Sequence, residues 1–295
     1  MERARATGLT PEAPLILGMM RLHDYPELTR PSKLAEWIAA RLDEGLNLFD
    51  HADIYGGGEC ERLFGDALRA HPNLAREARV ITKAGIVAAN QDRSPWQVKH
   101  YRTEAGYLET AIDRALAALA IEQIDTFLIH RPDPLMQVDD VARVLENAAS
   151  AGKVRQIGVS NFLPEQWRWL AGNTGLPLAC NQSELSLAHT GPLFDGTLEA
   201  HLADELRWLA WSPLGGGNLA GRIPLDILNR AREETGLDET GLAIAWLHQI
   251  PGSPVPVLGS MNPGRIQSAL QGIRSTLPRP LWYRLLESVR NQAVA

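Results

Sequence analysis

The feature that most constrains this chain is a series of short apolar runs, each followed by a longer amphipathic segment. The runs are Leu15–Met19, Leu46–Phe49, Val80–Thr82, Thr126–Ile129, Arg155–Val159, Leu178–Cys180, Trp208–Trp211 and Val255–Leu258. They are continuous rather than alternating, which is the pattern of parallel strands covered on both faces. The segments between them have helical period. In Thr103–Ala120 the apolar positions Tyr107, Leu108, Ala111, Ile112, Ala115, Leu116 and Leu119 recur at three- and four-residue spacing. Thr103 is expected to cap that helix. Leu34, Ile38 and Leu42 form a similar stripe, with Thr29 as its expected cap and Gly45 as its stop. Gly152 is expected to close a helix over Val138–Ala149, and Asp238 to cap one over Glu239–His248 before Pro251 blocks it. Strand and helix alternating in this way predict an α/β protein with a (β/α)8 TIM barrel.

At 295 residues the chain fits one such barrel. No Pro/Gly/Ser linker divides it, so residues 1–295 read as a single domain. Hydrophobic residues at 45% and charged residues at 22% give a globular, water-soluble balance. A formal charge of −6 argues against nucleic acid as a partner, so anionic ligands would need locally placed Arg, Lys or N–H groups. The two cysteines, Cys60 and Cys180, form no C-x-x-C pair and have no nearby His cluster, so no metal site is expected. A reducing, cytoplasmic setting follows. The polar N-terminal segment, with Glu2, Arg3, Arg5 and Glu12, precedes an apolar run too short for a signal core or a membrane span. No membrane partner is expected, and a monomer is the default.

Polar residues collect just past the apolar runs. Asp50, Lys83, His130, Ser160-Asn161, Asn181-Gln182 and Ser212 each follow one. The C-terminal strand ends form the active-site face of a TIM barrel, so these residues would converge on one rim. Singly, each has a plainer reading: Lys83 as a surface cation, His130 as a hydrogen-bonded structural residue, Asp50 as a loop cap and Tyr55 as a packing residue. Carbonyl reduction accounts for the convergence. Hydride addition builds charge on oxygen, so a placed acid must deliver a proton. A tyrosine serves if a nearby ammonium stabilises its phenolate, with Lys83 as that ammonium and Asp50 holding it. His130 would hydrogen-bond the carbonyl oxygen and orient it.

Phe49-Asp50-His51-Ala52-Asp53-Ile54-Tyr55-Gly56 resembles the D-x-A-x-x-Y-G signature of the aldo-keto reductases. Ile81-Thr82-Lys83 resembles the strand of their catalytic lysine, and Leu128-Ile129-His130-Arg131-Pro132-Asp133 the strand of their catalytic histidine. Gly152-Lys153-Val154-Arg155-Gln156-Ile157-Gly158-Val159-Ser160-Asn161-Phe162 is similar to a further family block. The resemblance runs from Leu15 to about Ala269 and is closest to a bacterial branch of YdhF-type oxidoreductases.

The resemblance implies an NADPH-dependent (NADPH/NADP+) reductase of a small-molecule aldehyde or ketone, with Tyr55, Lys83, Asp50 and His130 as its catalytic group. It implies that Ser160, Asn161 and Gln182 bind the nicotinamide carboxamide and that Trp211 stacks on the ring. Ser212, Leu214 and Gly215 would approach the pyrophosphate. Gly259, Ser260 and Arg265 would take the adenosine 2′-phosphate, which favours NADPH over NADH. Ser268 and Ala269 stand where many members carry a Glu-Asn pair on adenine, a departure at that end of the cofactor. Gly215-Gly216-Gly217-Asn218-Leu219-Ala220-Gly221 imitates a dinucleotide fingerprint, but its spacing and late position fail the Rossmann pattern. The alternative is an NADP(H)-binding redox sensor with little turnover, as in the potassium-channel β-subunits that resemble this barrel. Specificity is expected from the loops Met20–Pro26, Gly85–Arg102 and Leu187–Asp195, where Tyr25 and Trp96 either line a pocket or anchor the loops. The few residues between Gly217 and Pro224 would leave a cofactor cleft open.

Overall fold

The fold is that of a computed structural model, which describes residues 13–92, 94–217, 219 and 222–293. The polar segment Met1–Glu12, and Asn218, Ala220 and Gly221 of the glycine-rich run, lie outside the described residues, so the short connection before Pro224 is described only in part. The strands are β1 (Ile16–Gly18), β2 (Leu48–Asp50), β3 (Arg79–Ala84), β4 (Ile86–Val87), β5 (His100–Tyr101), β6 (Ile124–Ile129), β7 (Val154–Ser160), β8 (Leu178–Glu184), β9 (Arg207–Trp211) and β10 (Val255–Leu258). The helices are α1 (Pro31–Asp43), α2 (Glu59–Ala70), α3 (Pro72–Glu77), α4 (Ala105–Leu119), α5 (Val138–Ser150), α6 (Pro164–Asn173), α7 (Thr197–Ala203), α8 (Leu225–Thr235), α9 (Glu239–His248), α10 (Pro263–Ile273) and α11 (Arg279–Arg290).

Eight strands form a closed parallel barrel in the order β1-β10-β9-β8-β7-β6-β3-β2, and β4 and β5 make a separate hairpin. All eight barrel strands fall on the apolar runs of the sequence. Several extend beyond them at the C-terminal end, because polar side chains there still belong to the ladder. Lys83 pairs with Leu128 inside β3–β6, and Asn181 and Gln182 lie inside β8. The middle of the barrel is covered on both faces: Ile124–Ile129 is buried at every position, as a parallel strand under helices must be.

The contacts group the chain into two compact units, one spanning Leu17–Asn181 and the other joining Pro14–Ile16 to the residues from Gln182 onward. In the first, Phe49 packs on Phe64 of α2 with ring centres 5.0 Å apart, and Trp37 of α1 lies 6.4 Å from Phe49. In the second, Trp246, Leu242, Leu281 and Leu285 join Trp208 and Ala210 in one cluster, and Trp282 stacks on Trp246 at 4.9 Å.

Two expected caps are corrected. The helix with Leu108 and Ile112 begins at Ala105 with Glu104 before it and no side-chain cap; Thr103 Oγ1 donates instead to Asp133 Oδ2 at 2.9 Å. The first helix begins at Pro31, whose fixed φ suits a first helical position, and Thr29 turns its hydroxyl back to the Pro26 carbonyl at 2.7 Å. Asp238 does cap α9, accepting from Gly241 N at 2.8 Å. Gly45 and Gly152 follow α1 and α5 with φ of +77° and +72°, the left-handed conformation that ends a helix.

Gly65 carries a packing constraint. It sits in the interior of α2, and a Cβ there would lie 1.9 Å from the Ala118 carbonyl oxygen and 2.8 Å from the Leu119 carbonyl carbon of α4. Neither backbone atom can rotate away, so α2 and α4 approach closely only through glycine. Gly65→Ala should lower stability by about 3 kcal/mol through overpacking, whereas Gly106→Ala, where a Cβ meets nothing within 4 Å, should be neutral or better. Chemical denaturation of the two variants checks this; equal midpoints would show that the helices separate freely.

Candidate active site

The site in the first unit is built around Lys83. β3 places its side chain in a nearly dry position, with 1% exposure for Lys83 and 2% for Asp50. Lys83 Nζ donates to Asp50 Oδ1 at 2.7 Å, to Asp50 Oδ2 at 2.9 Å and to the His51 carbonyl at 2.7 Å. The surface-cation reading of Lys83 and the loop-cap reading of Asp50 are thereby replaced: a buried ammonium is stable only with such partners. Burial works against the Lys83 charge, yet Asp50 and Tyr55 hold the amine above its ordinary value.

Tyr55 reaches the same place from the other side. The chain leaves β2 and follows the edge of β3, His51 N donating to Ile81 O at 2.8 Å and Asp53 N to Lys83 O at 2.9 Å. It then turns, with Tyr55 N donating to Ala52 O at 3.0 Å. Lys83 Nζ lies 5.0 Å from the centre of the Tyr55 ring, and Tyr55 is one of its hydrogen-bond partners. Gly56 is required by the turn: a Cβ would stand 2.4 Å from His23 Nε2, and φ is +57°. Burial raises the Tyr55 phenol above its ordinary value, and the Lys83 charge pulls against that shift without reversing it. The lysine was expected to bring the phenol down; desolvation of the half-buried side chain outweighs it.

His130 follows β6 directly, and its backbone N donates to Ala84 O at 2.9 Å. Its ring meets Tyr55 edge-on at 6.2 Å between centres and 82° between planes. Its Nδ1 is buried with no hydrogen-bond partner among the described residues, which disfavours the structural reading. Burial first, then the charges of Lys83, Arg131 and Lys99, holds the imidazole well below its ordinary value. His130 is therefore a neutral ring at neutral pH. Asp50, Tyr55, Lys83 and His130 stand together, as a carbonyl-directed acid, its tuning ammonium and a neutral donor would.

Three groups behind this site, His51 and Glu61 buried and Asp53 half-buried, were not singled out from the sequence. His51 is fully buried with neither ring nitrogen hydrogen-bonded among the described residues, its ring edge-on to Phe64 at 4.7 Å. Asp53 Oδ2 accepts from the Tyr107 hydroxyl at 3.1 Å, and Glu61 Oε1 accepts from the Thr82 hydroxyl at 2.5 Å. Asp53 lay within the recognised motif but at one of its variable positions, and Glu61 looks like a first-turn acid on an ordinary helix.

The residues assigned to the cofactor are found as follows. Ser160 ends β7, and Asn161 follows in the left-handed region at φ +62°, its amide donating to Ser160 Oγ at 2.8 Å and to His130 O at 3.3 Å. In the second unit, Gln182 is buried in β8 and Trp211 ends β9 half-buried. Ser212 has φ +50° and accepts from Gly215 N at 2.8 Å through its carbonyl. Leu214 packs against the cluster of the second unit, and a Cβ on Gly215 would lie 2.6 Å from Ala188 Cβ. Gly259 and Ser260 lie past β10, and Arg265 is exposed in the first turn of α10, without an ion pair among the described residues. Trp96 is 84% exposed, so it is no loop anchor. Among the described residues no group of His, Cys, Asp or Glu is placed to hold a metal ion, and no helix is long and apolar enough to cross a membrane.

A sequence model of the Aldo/keto reductase family matches residues 14–280. The chain is 37% identical over 284 residues to the 6-dehydroglucose reductase of Agrobacterium fabrum, covering 95% of each protein. It is 35% identical over 286 residues to oxidoreductase YdhF of Escherichia coli, covering 94% of this chain and 95% of YdhF. The solved structure of a glycerol dehydrogenase from Gluconobacter oxydans superposes with a TM-score of 0.80 at 25% identity, over 96% of this chain and 93% of that one.

The buried histidines set an acid limit on stability. His51 is pushed down to about 3 and His201 to about 4, burial being the first cause for each. In the unfolded chain such a ring takes up a proton near 6.5, so stability is lost as pH falls below that value toward the folded one. Each ring contributes a slope of up to roughly 1.4 kcal/mol per pH unit. His51→Leu should therefore flatten stability against pH by about one proton between pH 6 and 4, measured by urea unfolding. An unchanged slope would mean that the ring is charged when folded.

Proposed function

The chain belongs to the aldo/keto reductase family, and from that membership and the geometry around Lys83 we propose that it is an NADPH-dependent oxidoreductase that reduces an aldehyde or ketone to an alcohol by hydride transfer, with Tyr55 as proton donor. The observation that carries this reading is the buried Lys83–Asp50 pair, with Tyr55 beside the ammonium and a neutral His130 edge-on to the phenol. The reading takes residues 1–295 as one barrel domain, acting as a cytoplasmic monomer on a small molecule.

The residues present fit NADPH. Gly215, Gly216 and Gly217 have φ of +57°, +76° and +92°, so their backbone is bare of side chains where a pyrophosphate would approach. Arg265 is exposed and unpaired among the described residues, as a guanidinium reserved for a phosphate would be. Ser160, Asn161, Gln182 and Trp211 would hold the nicotinamide, Ser212, Leu214 and Gly215 the pyrophosphate, and Gly259, Ser260 and Arg265 the adenosine phosphate. When bound, NADPH supplies the hydride.

The chain's own residues do the rest. Tyr55 carries its proton at neutral pH, as any phenol at or above its ordinary value does, and it gives that proton to the carbonyl oxygen as charge develops there. Lys83 then stabilises the phenolate left behind, its own charge secured by Asp50. His130, kept neutral, donates a hydrogen bond that orients the oxygen. The name of the Agrobacterium fabrum relative makes a sugar aldehyde of the 6-dehydroglucose kind the first substrate to test, within a panel of aldehydes, ketones and quinones.

Tyr55→Phe should lose about a hundred-fold or more in turnover while NADPH still quenches tryptophan fluorescence. A Tyr55→Phe enzyme as fast as the parent would overturn the proton donor, and tight NADPH binding without turnover on the whole panel would favour a sensor. In the same titration NADPH should bind more tightly than NADH, and Arg265→Ala should remove the difference. Equal affinities in the parent would overturn the Ser260 and Arg265 assignment.

A further inference from the structure

Among the described residues, the segment that carries Tyr55 is tied to α4 by a side chain on one side only. After Tyr55 come Gly56, Gly57 and Gly58, all at positive φ and without side chains to hold them. Before it comes Asp53, whose backbone N donates to Lys83 O at 2.9 Å and whose Oδ2 accepts from the Tyr107 hydroxyl of α4 at 3.1 Å. Among the described residues from Ala52 to Gly58, Asp53 is the one whose side chain hydrogen-bonds α4. Its other oxygen, Oδ1, is buried with no hydrogen-bond partner among the described residues. A carboxylate so placed ties its loop to α4 through the Tyr107 hydroxyl, and the strength of that bond depends on its charge.

The groups around it come from every neighbouring element. Glu61 on α2 bears on it as a second acid and Arg114 on α4 as a cation. Tyr107 on α4 is itself covered by Arg102, whose guanidinium lies 4.8 Å from the ring centre. On β3, Lys83 gives its carbonyl to Asp53 and its charge bears on Glu61. Burial first, and then Glu61, lift the Asp53 carboxyl to about 7, against the pull of the Tyr107 hydroxyl, Arg114 and the Ile54 backbone N–H. It therefore changes charge across the neutral range.

We propose that Asp53 is a positioning residue for Tyr55: ionised, it takes a charge-assisted hydrogen bond from Tyr107 that fixes the segment, and protonated, it lets the segment loosen. The inference rests on Tyr55 being the proton donor of the reductase. Small displacements of a catalytic group are costly to the chemical step and need not touch cofactor affinity. The effect belongs in kcat rather than in the KM for NADPH.

With the full-length enzyme, kcat for a saturating aldehyde should rise about five-fold through a limb near pH 7. Asp53→Asn should stay near the lower plateau at every pH with the KM for NADPH unchanged. Tyr107→Phe removes that hydrogen bond, so its kcat should likewise stay near the lower plateau, while the Asp53 carboxyl, freed of one group that opposes the upward shift, titrates at higher pH. Carbon-13 NMR of aspartate carboxyls reads the group without turnover: one resonance should titrate near 7, vanish in Asp53→Asn and move up in Tyr107→Phe. Should Asp53→Asn fail to fold, Tyr107→Phe and this resonance still decide. A working reductase whose limb ignores both variants overturns the positioning role alone. A protein whose Asp53 titrates as described but reduces no carbonyl overturns the reductase reading, and the positioning role with it.

Discussion

The first unit of this protein depends on burying an ammonium. Taking Lys83 to 1% exposure removes the water that would stabilise its charge, and the loss must be met inside the protein. Asp50 meets it with two oxygens and the His51 carbonyl adds a third acceptor. Each comes from the end of β2 or the residue after it, so the register of β2 against β3 is bound to this one charge. Asp50 pairs with Ile81, two residues before the lysine, and a slip of one residue would turn the carboxylate to the opposite face. The interaction that a proton donor would use is thus the one that also holds two strands in register.

A second layer of acids surrounds that charge at a distance. Glu61 sits on the Thr82 hydroxyl and Asp53 on the Tyr107 hydroxyl, so neither competes with Asp50 for the ammonium. Burial raises both acids, and it lowers His51 and His130. The common cause is burial, which favours the neutral form of each of these groups because none of them has an ion-pair partner of its own among the described residues. Around one fully paired charge, the neighbours are pushed toward neutrality, and a carbonyl would meet donors rather than ions.

The barrel was legible in the sequence because parallel strands covered on both faces must be continuous apolar runs, and eight such runs stand in the chain. Their C-terminal limits were not, since Lys83, Asn181 and Gln182 are polar residues inside ladders. The caps at Thr29 and Thr103 failed because a threonine hydroxyl has several possible acceptors, and here a local carbonyl and Asp133 took them. Asp50, Tyr55, Lys83 and His130 were legible as types at strand ends, which is a one-dimensional signal. The Asp53–Tyr107 and Glu61–Thr82 pairs were not, because 54 and 21 residues separate the partners and only the fold brings them together.

The departure at Ser268 and Ala269 has its own physical logic. Ser268 donates its hydroxyl to Asp238 Oδ2 at 2.6 Å, and Asp238 Oδ1 accepts from Gly241 N to cap α9. Ala269 is fully buried, and a Cβ on Gly272 would stand 2.4 Å from the Gly241 carbonyl. α9 and α10 therefore approach closely through small residues, and the serine ties α10 to the cap of α9. A longer carboxylate at 268 would face the Asp238 carboxylate, and an amide at 269 would have to be buried where Ala269 now is. Small residues at 268 and 269 thus suit this helix contact, and a charged adenosine phosphate bound at this end would depend on Arg265.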